Sequence, residues 1–379
     1  QGELKTRMMI QPEVFGPERA RPLSEEDRDQ EFTFATMAQF PQPTNANTFA
    51  FKEAGTYLRY AHAEDRRLLT LNKGKTVERE GYGFSVGGKC GCAEVYDEQS
   101  PKAGKHPRPY LVSGKTIPRE CEGEFVQTFL GYDFSTDLLL LRFEVRPPLV
   151  TDIGSSSIVQ VLESAAHSLA EALRLAASRH RQLDLDPTEF GAGHRILPVG
   201  ADGCVSLDVY LYDTLSGGAG YAELAAKYFD DIATDTLALL EGCSCDTSCT
   251  DCLDYFQNQH LKSQLDRKLA AELLRYGLFG TIPKSAPIAE QATRLHSLVS
   301  SLTLDGIECE FDGNVGGEQV PLMARQNSKT LVVNLYPSLL ARSDVTFATT
   351  THTGVYQLTE RALRRDLPAV HAEIRSLLS

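Results

Sequence analysis

The sequence predicts an α/β protein with a mixed sheet, packed helices and a small α/β unit at its C-terminal end. Three patterns indicate this class. An apolar run bounded by turn residues at 136–145 is typical of a buried strand. Residues 155–181 open with serines and carry apolar side chains at three- and four-residue steps, as an amphipathic helix does. A strand, a glycine-rich turn and a helix follow at 205–240.

Taken in order, the chain divides into four predicted segments. Residues 1–80 alternate short apolar pieces with prolines and glycines and predict an irregular, β-rich segment, and 81–150 is a second β-rich segment that contains cysteines and histidine. Residues 151–280 form an α/β domain whose leucines at 258–277 indicate a further amphipathic helix. In 281–379 we predict helices near 287–302 and 359–378 and a strand at 330–335.

Composition limits the classes of function. With 379 residues, 42% hydrophobic and 23% charged, the chain is long enough to bury a core. No apolar stretch of about 18 residues occurs, so we expect no membrane span. Residues 1–21 lack an apolar signal segment, and we expect a cytoplasmic protein. The formal net charge of -13 means that any contact with nucleic acid must be local, because phosphate affinity comes mainly from lysine and arginine.

The most specific pattern is C-x-C-x3-C-x2-C, which places four cysteines within ten residues: Cys243, Cys245, Cys249 and Cys252. Thiolates this close in sequence can surround one tetrahedral ion, and an all-cysteine set is typical of a closed, structural zinc site. Two disulfides or a set of redox thiols are the alternatives, although disulfides belong to oxidising compartments. We therefore predict bound Zn²⁺ that clamps the helices on either side of the cluster.

A second group of metal-ligating residues is spread more widely: Cys90, Cys92, His106 and Cys121. Loop-borne cysteine and histidine are common in small zinc sites, but this spacing also arises by chance. We regard these residues as a possible second metal site.

The glycine-rich turn at 217–220 has two interpretations. Its amides, at the start of a helix, could hold a phosphate. Alternatively, the glycines only let the helix pack close to the sheet, which we favour. A P-loop needs glycine five positions ahead of a Gly-Lys pair, and Pro109 and Leu69 stand there instead. We find no P-loop and no nuclease motif, so ATPase activity would have to come from elsewhere.

The order of these features resembles the C-terminal zinc-binding region of MrfA-type DNA helicases of superfamily 2, and also DrmB of the DISARM phage-defence system. The resemblance rests on LGYDFSTD at 130–137, YDTLSGGAGY at 212–221, the four cysteines and Leu-Asp-Arg at 265–267, and it covers about 80 to 278. It implies that the four cysteines bind one zinc ion. In the possible second site Gly87 stands where the family has a cysteine, so that Cys92 would have to replace it.

The resemblance implies an accessory or C-terminal module of an ATP-dependent DNA helicase or translocase, with a role in defence against phage. The helicase core would lie on the same polypeptide or on a partner subunit, and the module would line the path of single-stranded or forked DNA or dock the motor. Charge and placement suggest five residues for phosphate contact: Arg179, Arg181, Lys262, Arg267 and Lys268. The alternatives are a scaffold without nucleic-acid contact and an unrecognised nuclease in the last hundred residues.

Overall fold

A computed structural model describes residues 34–35, 38–40, 49–75, 81–87, 93–96, 104–107, 120–121, 123–197, 200, 203–344 and 354–379. Contacts divide the chain into two compact units, one of Gln1–Pro41 with Leu68–Phe134 and the other of Gln42–Arg67 with Ser135–Ser379. Both sheets and helices are present, which confirms the predicted α/β class. The four-segment division remains a prediction about domain boundaries.

The strands are β1 Phe34–Ala35, β2 Lys52–Glu53, β3 Leu58–Lys75, β4 Phe84–Gly87, β5 Ala93–Val95, β6 His106–Pro107, β7 Glu120–Cys121, β8 Phe125–Thr128, β9 Leu130–Val145, β10 Phe190–Ile196, β11 Val205–Asp213, β12 Glu308–Val315, β13 Glu318–Gln326, β14 Lys329–Tyr336 and β15 Gly354–Thr359. The α-helices are α1 Ser156–Arg179, α2 Tyr221–Lys227, α3 Phe229–Gly242, α4 Arg267–Phe279, α5 Ile288–Arg294, α6 His296–Leu304, α7 Glu360–Arg365 and α8 Leu367–Leu378. Short 3₁₀ turns occupy Pro187–Glu189, Phe256–Gln264 and Arg342–Asp344.

The smaller unit is β-rich where it is described. Strands β5, β4 and β8 form an antiparallel sheet in which Phe84 lies between Val95 and Thr128. Strand β1 pairs with the end of β3, and β6 pairs with β7. The short strands agree with the irregular pattern of glycine and proline in this part of the sequence.

The larger unit is built on a sheet with the strand order β3-β9-β11-β10. Strand β11 pairs antiparallel with β9 on one side and with β10 on the other. The four leucines at 138–141 in β9 are all fully buried, so both faces of this central strand are covered. An unbroken apolar run, rather than an alternating one, is what a strand buried on both faces requires.

Helix α1 is buried on every side from Ala165 to Ser178. It packs against β10 and β11 and also against α3 and α4. Most helices expose a polar face, and a helix enclosed all round needs small side chains where its neighbours approach. Alanine and serine supply these positions, as at Ala166, Ala170 and Ser168. Helices α3 and α4, which lie on either side of the cysteine loop in the sequence, are therefore fixed to the sheet through α1.

Four predicted helices are interrupted. The helix expected at 287–302 is two helices, α5 and α6, that meet at Leu295. The helix expected at 221–240 is two helices, α2 and α3, that meet at Tyr228. The helix expected at 258–277 is a 3₁₀ turn followed by α4, which begins after Asp266. The helix expected at 359–378 breaks at Asp366, because the Asp366 carboxylate accepts the N–H of Ala369 and caps a new helix.

Residues after 280 form what we call the C-terminal lobe, which contains α5 to α8 and β12 to β15. Its sheet has the order β12-β13-β14-β15, antiparallel except for the parallel pair β14 and β15. The predicted strand at 330–335 lies within β14, and the other three strands were not predicted. Leu298, Leu322 and Ile374 belong to a core within the lobe. Among the described helices, none is both long enough and apolar enough to cross a membrane.

Candidate metal centre

The four cysteines lie together where α3 ends. Cys243 follows the last residue of α3, and Cys245, Cys249 and Cys252 lie on the loop that follows. The four Sγ atoms all lie within 4.8 Å of one another. The Sγ separations are 3.5 Å for Cys243 and Cys249, 3.6 Å for Cys245 and Cys252, and 3.8 Å for Cys249 and Cys252.

These separations fit one tetrahedral metal ion. A tetrahedron with Zn–S bonds of about 2.3 Å has sulfur–sulfur edges of about 3.8 Å. A disulfide would need an S–S bond of about 2.05 Å, and all four cysteines carry free thiols. Four thiolates also complete the coordination shell, which leaves no position for a reacting water. The cluster is therefore suited to hold the fold together and not to perform hydrolysis.

The local backbone favours thiolates at part of the cluster. The N–H of Cys245 donates to Cys243 Sγ, 3.5 Å away, and this hydrogen bond, together with hydrogen bonds to the neighbouring thiols, lowers the pKa of the Cys243 thiol to about 7. The N–H of Cys249 donates to Cys252 Sγ at 3.3 Å, yet burial raises the pKa of Cys252. A bound divalent cation would offset that burial penalty, because it stabilises the charged form of every thiol that it ligates.

The loop turns tightly around one carbonyl group. Cys249 O accepts the N–H groups of Cys252, Leu253 and Asp254 at 3.0, 3.1 and 2.9 Å. Leu253 is fully buried and Cys252 is 2% exposed, and both belong to the main core. The cysteine loop thus lies directly on the core and is ordered by it.

Arg267 holds the loop from the other side. Its Nε donates to Cys245 O at 2.7 Å and its Nη1 donates to Leu240 O at 2.8 Å. Its backbone N–H donates to Thr247 O at 2.8 Å, and the residue is only 7% exposed. These contacts assign Arg267 to the support of the cysteine loop, and its burial does not favour contact with a phosphate.

The other residues suggested for phosphate contact lie in two places. Lys262 and Lys268 are near the cysteine loop, where they form ion pairs of 3.2 Å with Asp254 and Asp246. Arg179 and Arg181 lie at the end of α1 and line a cavity of about 350 Å³. Asp231 and Asp235 line the same cavity, so its charge is mixed. Contact of these residues with nucleic acid remains a prediction.

The possible second metal site is only partly described. Cys90 and Cys92 lie outside the described residues. His106 and Cys121 are direct partners in the β6–β7 pair, which brings their backbones together. The second site therefore remains a prediction. Among the described residues, the four-cysteine cluster alone gathers three or more metal-ligating side chains.

A side chain of the protein itself binds the backbone N–H groups of the glycine-rich turn. The Asp213 carboxylate accepts the N–H groups of Ala219, Tyr221 and Ala222 at 2.6, 3.0 and 2.8 Å. Asp213 is fully buried and takes the place that a phosphate would need at the start of α2. A Cβ on Gly218 would lie 2.4 Å from Asp137 Oδ2, so the turn needs glycine for close packing. This favours the packing interpretation of the turn.

Sequence reasoning missed a polar network beside the cysteine loop. Glu171 on α1 accepts hydrogen bonds from Arg174 and from Asn258 Nδ2, the latter at 2.9 Å. Asn258 also donates to Leu253 O at 2.9 Å. These residues lie on patterns that predicted ordinary helices, and no short sequence signal marks them.

Comparison with known proteins agrees with this geometry. Residues 163–253 match the family MZB, the MrfA Zn-binding domain, and the match contains all four cysteines. The predicted resemblance to the MrfA Zn-binding region is thereby confirmed. Similarity to DrmB remains a prediction.

One relative matches over the whole chain. The chain is 50% identical over 381 residues to Druantia protein DruE of Escherichia coli (strain UMEA 4076-1). The alignment covers 100% of this chain and 20% of that protein. The chain thus spans about a fifth of its relative. A search of solved structures finds the crystal structure of the DUF1998 helicase MrfA bound to DNA, with 13% identity and a TM-score of 0.33, covering 64% of this chain and 25% of that chain.

Proposed function

We propose that this chain is a zinc-stabilised module of an ATP-dependent DNA helicase or translocase. The cysteine cluster carries the proposal, because four thiols placed to form the corners of a zinc tetrahedron lie within the segment that matches the MrfA Zn-binding domain. Bound Zn²⁺ would supply structural closure without a reactive position. The protein's own groups order the site, through the Cys249 carbonyl and the Arg267 guanidinium.

The motor would be supplied by another part of the same polypeptide or by a partner subunit. The DruE match supports this, since the chain corresponds to only 20% of that protein. In this arrangement the module lines the path of a single-stranded or forked DNA or docks the motor. We include a role in defence against phage, which the sequence resemblance implies.

DNA contact is assigned to four cations that solvent reaches, the exposed Arg179, Arg181 and Lys262 and the half-buried Lys268. Four phosphate contacts on a single strand predict a slope of log affinity against log salt no steeper than about -3, because each contact contributes about -0.7. Fluorescence anisotropy with labelled forked and single-stranded DNA measures this slope. Replacing either pair by alanine should flatten it, whereas Arg325→Ala in the C-terminal lobe should not.

A scaffold without nucleic-acid contact is the second candidate. Aspartates next to the cations favour it, as in the pairs Lys262–Asp254 and Lys268–Asp246. Absence of salt-dependent DNA binding, together with tight binding to a helicase subunit, would select the scaffold. Elemental analysis that finds no stoichiometric zinc in folded protein would contradict the metal site in both cases.

A further inference from the structure

The segment Leu265–Asp266–Arg267 joins the cysteine loop to the C-terminal lobe. On the loop side, Arg267 donates to Cys245 O and Leu240 O, and its N–H donates to Thr247 O. Three hydrogen bonds from one residue therefore reach backbone carbonyls at the end of α3 and on the loop between Cys243 and Cys249. Any displacement of Arg267 would be transmitted to that loop.

On the lobe side, two adjacent arginines of α7 hold the same segment. Arg364 Nη2 lies 2.8 Å from Asp266 Oδ2, with side-chain exposures of 10% and 0%. Arg365 donates to the carbonyl of Leu265 and, at 3.4 Å, to that of Lys262. Because the ion pair is buried, removal of one partner leaves a charge without compensation.

A second helix of the lobe, α5, also contributes to this contact. Glu360 on α7 accepts hydrogen bonds from Arg364 at 3.3 Å and from Arg294 on α5 at 2.6 Å. The Asp266 carboxylate is shared, since its Oδ1 caps α4 by accepting the N–H of Lys268 at 3.1 Å. Its backbone N–H donates to Ser168 Oγ on α1 at 2.7 Å. Asp266 is thus fixed to the lobe, to α4 and to α1 at once.

We infer that the C-terminal lobe is a latch on the cysteine site, so that docking of α7 on Leu265–Asp266 and retention of the metal ion stabilise each other. This inference rests on the proposed binding of zinc. The coupling is reciprocal, as linkage requires: release of α7 loosens the metal, and loss of the metal loosens α7. A partner that pulls α7 away would open the module at the cysteine loop.

The lobe can loosen at α7 and stay attached elsewhere. Val150 donates its N–H to Leu339 O at 2.9 Å, and Ala341 donates to Pro148 O at 2.8 Å, which ties the lobe to the segment after β9. The lobe also has its own buried core. We therefore expect variants of the latch to remain folded.

The first test measures zinc release from the full chain. Zinc content is determined beforehand, so that protein without metal, which would contradict the proposed site, is distinguished from a failure of the coupling. Transfer of zinc to an excess of a chromogenic chelator is then followed for wild type and for Arg364→Ala combined with Arg365→Ala. We expect release at least about five-fold faster in the double variant, the lower end of typical coupling between sites. Release at the wild-type rate would overturn the inference.

Two further variants separate the latch from a general loss of stability. Arg325→Ala removes an exposed pair with Glu310, 3.0 Å long, in the same lobe and should release zinc at the wild-type rate. Arg364→Lys keeps the positive charge beside Asp266, so it should release zinc more slowly than the double variant. Equal acceleration by Arg325→Ala would contradict a specific latch.

The reciprocal test uses the wild-type protein, so it tests the coupling between α7 and the metal even if the double variant fails to fold. Hydrogen exchange is compared before and after zinc removal in α7 and in β13. We expect faster exchange in α7 with β13 unchanged. Unchanged exchange in α7, or an equal rise in both elements, would overturn the inference.

Discussion

Replacement of Arg267 by alanine should destabilise the protein far more than replacement of its neighbour Lys268. The Arg267 guanidinium donates two hydrogen bonds, of 2.7 and 2.8 Å, to Cys245 O and Leu240 O. A hydrogen bond with a charged partner contributes about 1.5 to 3 kcal/mol, so two such bonds give an expected loss of about 3 to 6 kcal/mol. Arg267 is 7% exposed, so little water can replace the lost donors.

Lys268 is the matched control because it is adjacent, equally charged and differently placed. Its ion pair with Asp246 has side-chain exposures of 31% and 82%. Exposed pairs contribute about 0 to 1 kcal/mol, which sets the expected effect of Lys268→Ala. Arg267→Lys should fall between the two, because lysine keeps the charge but loses the planar fork that reaches two carbonyls.

Urea denaturation at a fixed free zinc concentration measures these differences, with the midpoint and the slope m reported for each variant. Arg267→Ala within about 1 kcal/mol of wild type would refute the assignment of this side chain to the cysteine loop, since two buried acceptors cannot lose charged donors at so small a cost. Equal losses for Arg267→Ala and Lys268→Ala would refute it as well.

Three other changes test separate parts of the molecule. Cys249→Ser should abolish stoichiometric zinc and lower the melting temperature, because structural zinc contributes about 10 to 16 kcal/mol in small metal-folded units. Metal analysis and thermal melting measure these two effects. A soluble variant with an unchanged melting temperature would contradict the prediction. Asp213→Ala should cost at least about 3 kcal/mol by denaturant unfolding, since three N–H groups lose a buried carboxylate, whereas Asp186→Ala on the surface should cost clearly less. Burial, followed by the nearby Glu360, raises the pKa of Glu272 to about 8 from 4.5. The stability that neutral Glu272 confers is therefore complete below about pH 4.5 and lost as pH rises through about 8, and Glu272→Gln should gain on wild type in melts at pH 8 relative to pH 5.

The sequence predicted most helical segments but not where they break. Apolar spacing continues across Asp266 and across Asp366, so a periodic pattern shows one helix in each case. Each of these two breaks is set by an aspartate that caps the following helix, with Asp266 accepting from Lys268 and Leu269 and Asp366 from Ala369. Aspartate is also a common residue on exposed helix faces, so only the tertiary contacts of Asp266 distinguish a cap from a solvated side chain.

The cysteine cluster could be predicted because all of its ligands lie within ten residues, where chain connectivity alone brings them together. The residues that support the cluster could not be predicted. Arg364 and Arg365 lie about a hundred residues from Leu265 and Asp266, in a stretch where basic residues on a helix normally indicate a solvated face. Three of the four strands of the C-terminal sheet, β12, β13 and β15, were not predicted.

Several arginines of the larger unit contact buried groups of the protein rather than solvent. Arg267 and Arg365 donate hydrogen bonds to backbone carbonyls, and Arg364 pairs with the buried Asp266 carboxylate. Arg142 is held by Asp208 at 2.7 Å inside the sheet. A charge committed to a buried partner cannot release counterions from DNA, and counterion release is the source of phosphate affinity. The formal net charge of -13 over the whole chain also opposes binding to phosphate. Such a module should therefore grip DNA weakly by itself, and in the proposed assembly most of the hold on DNA would come from the motor.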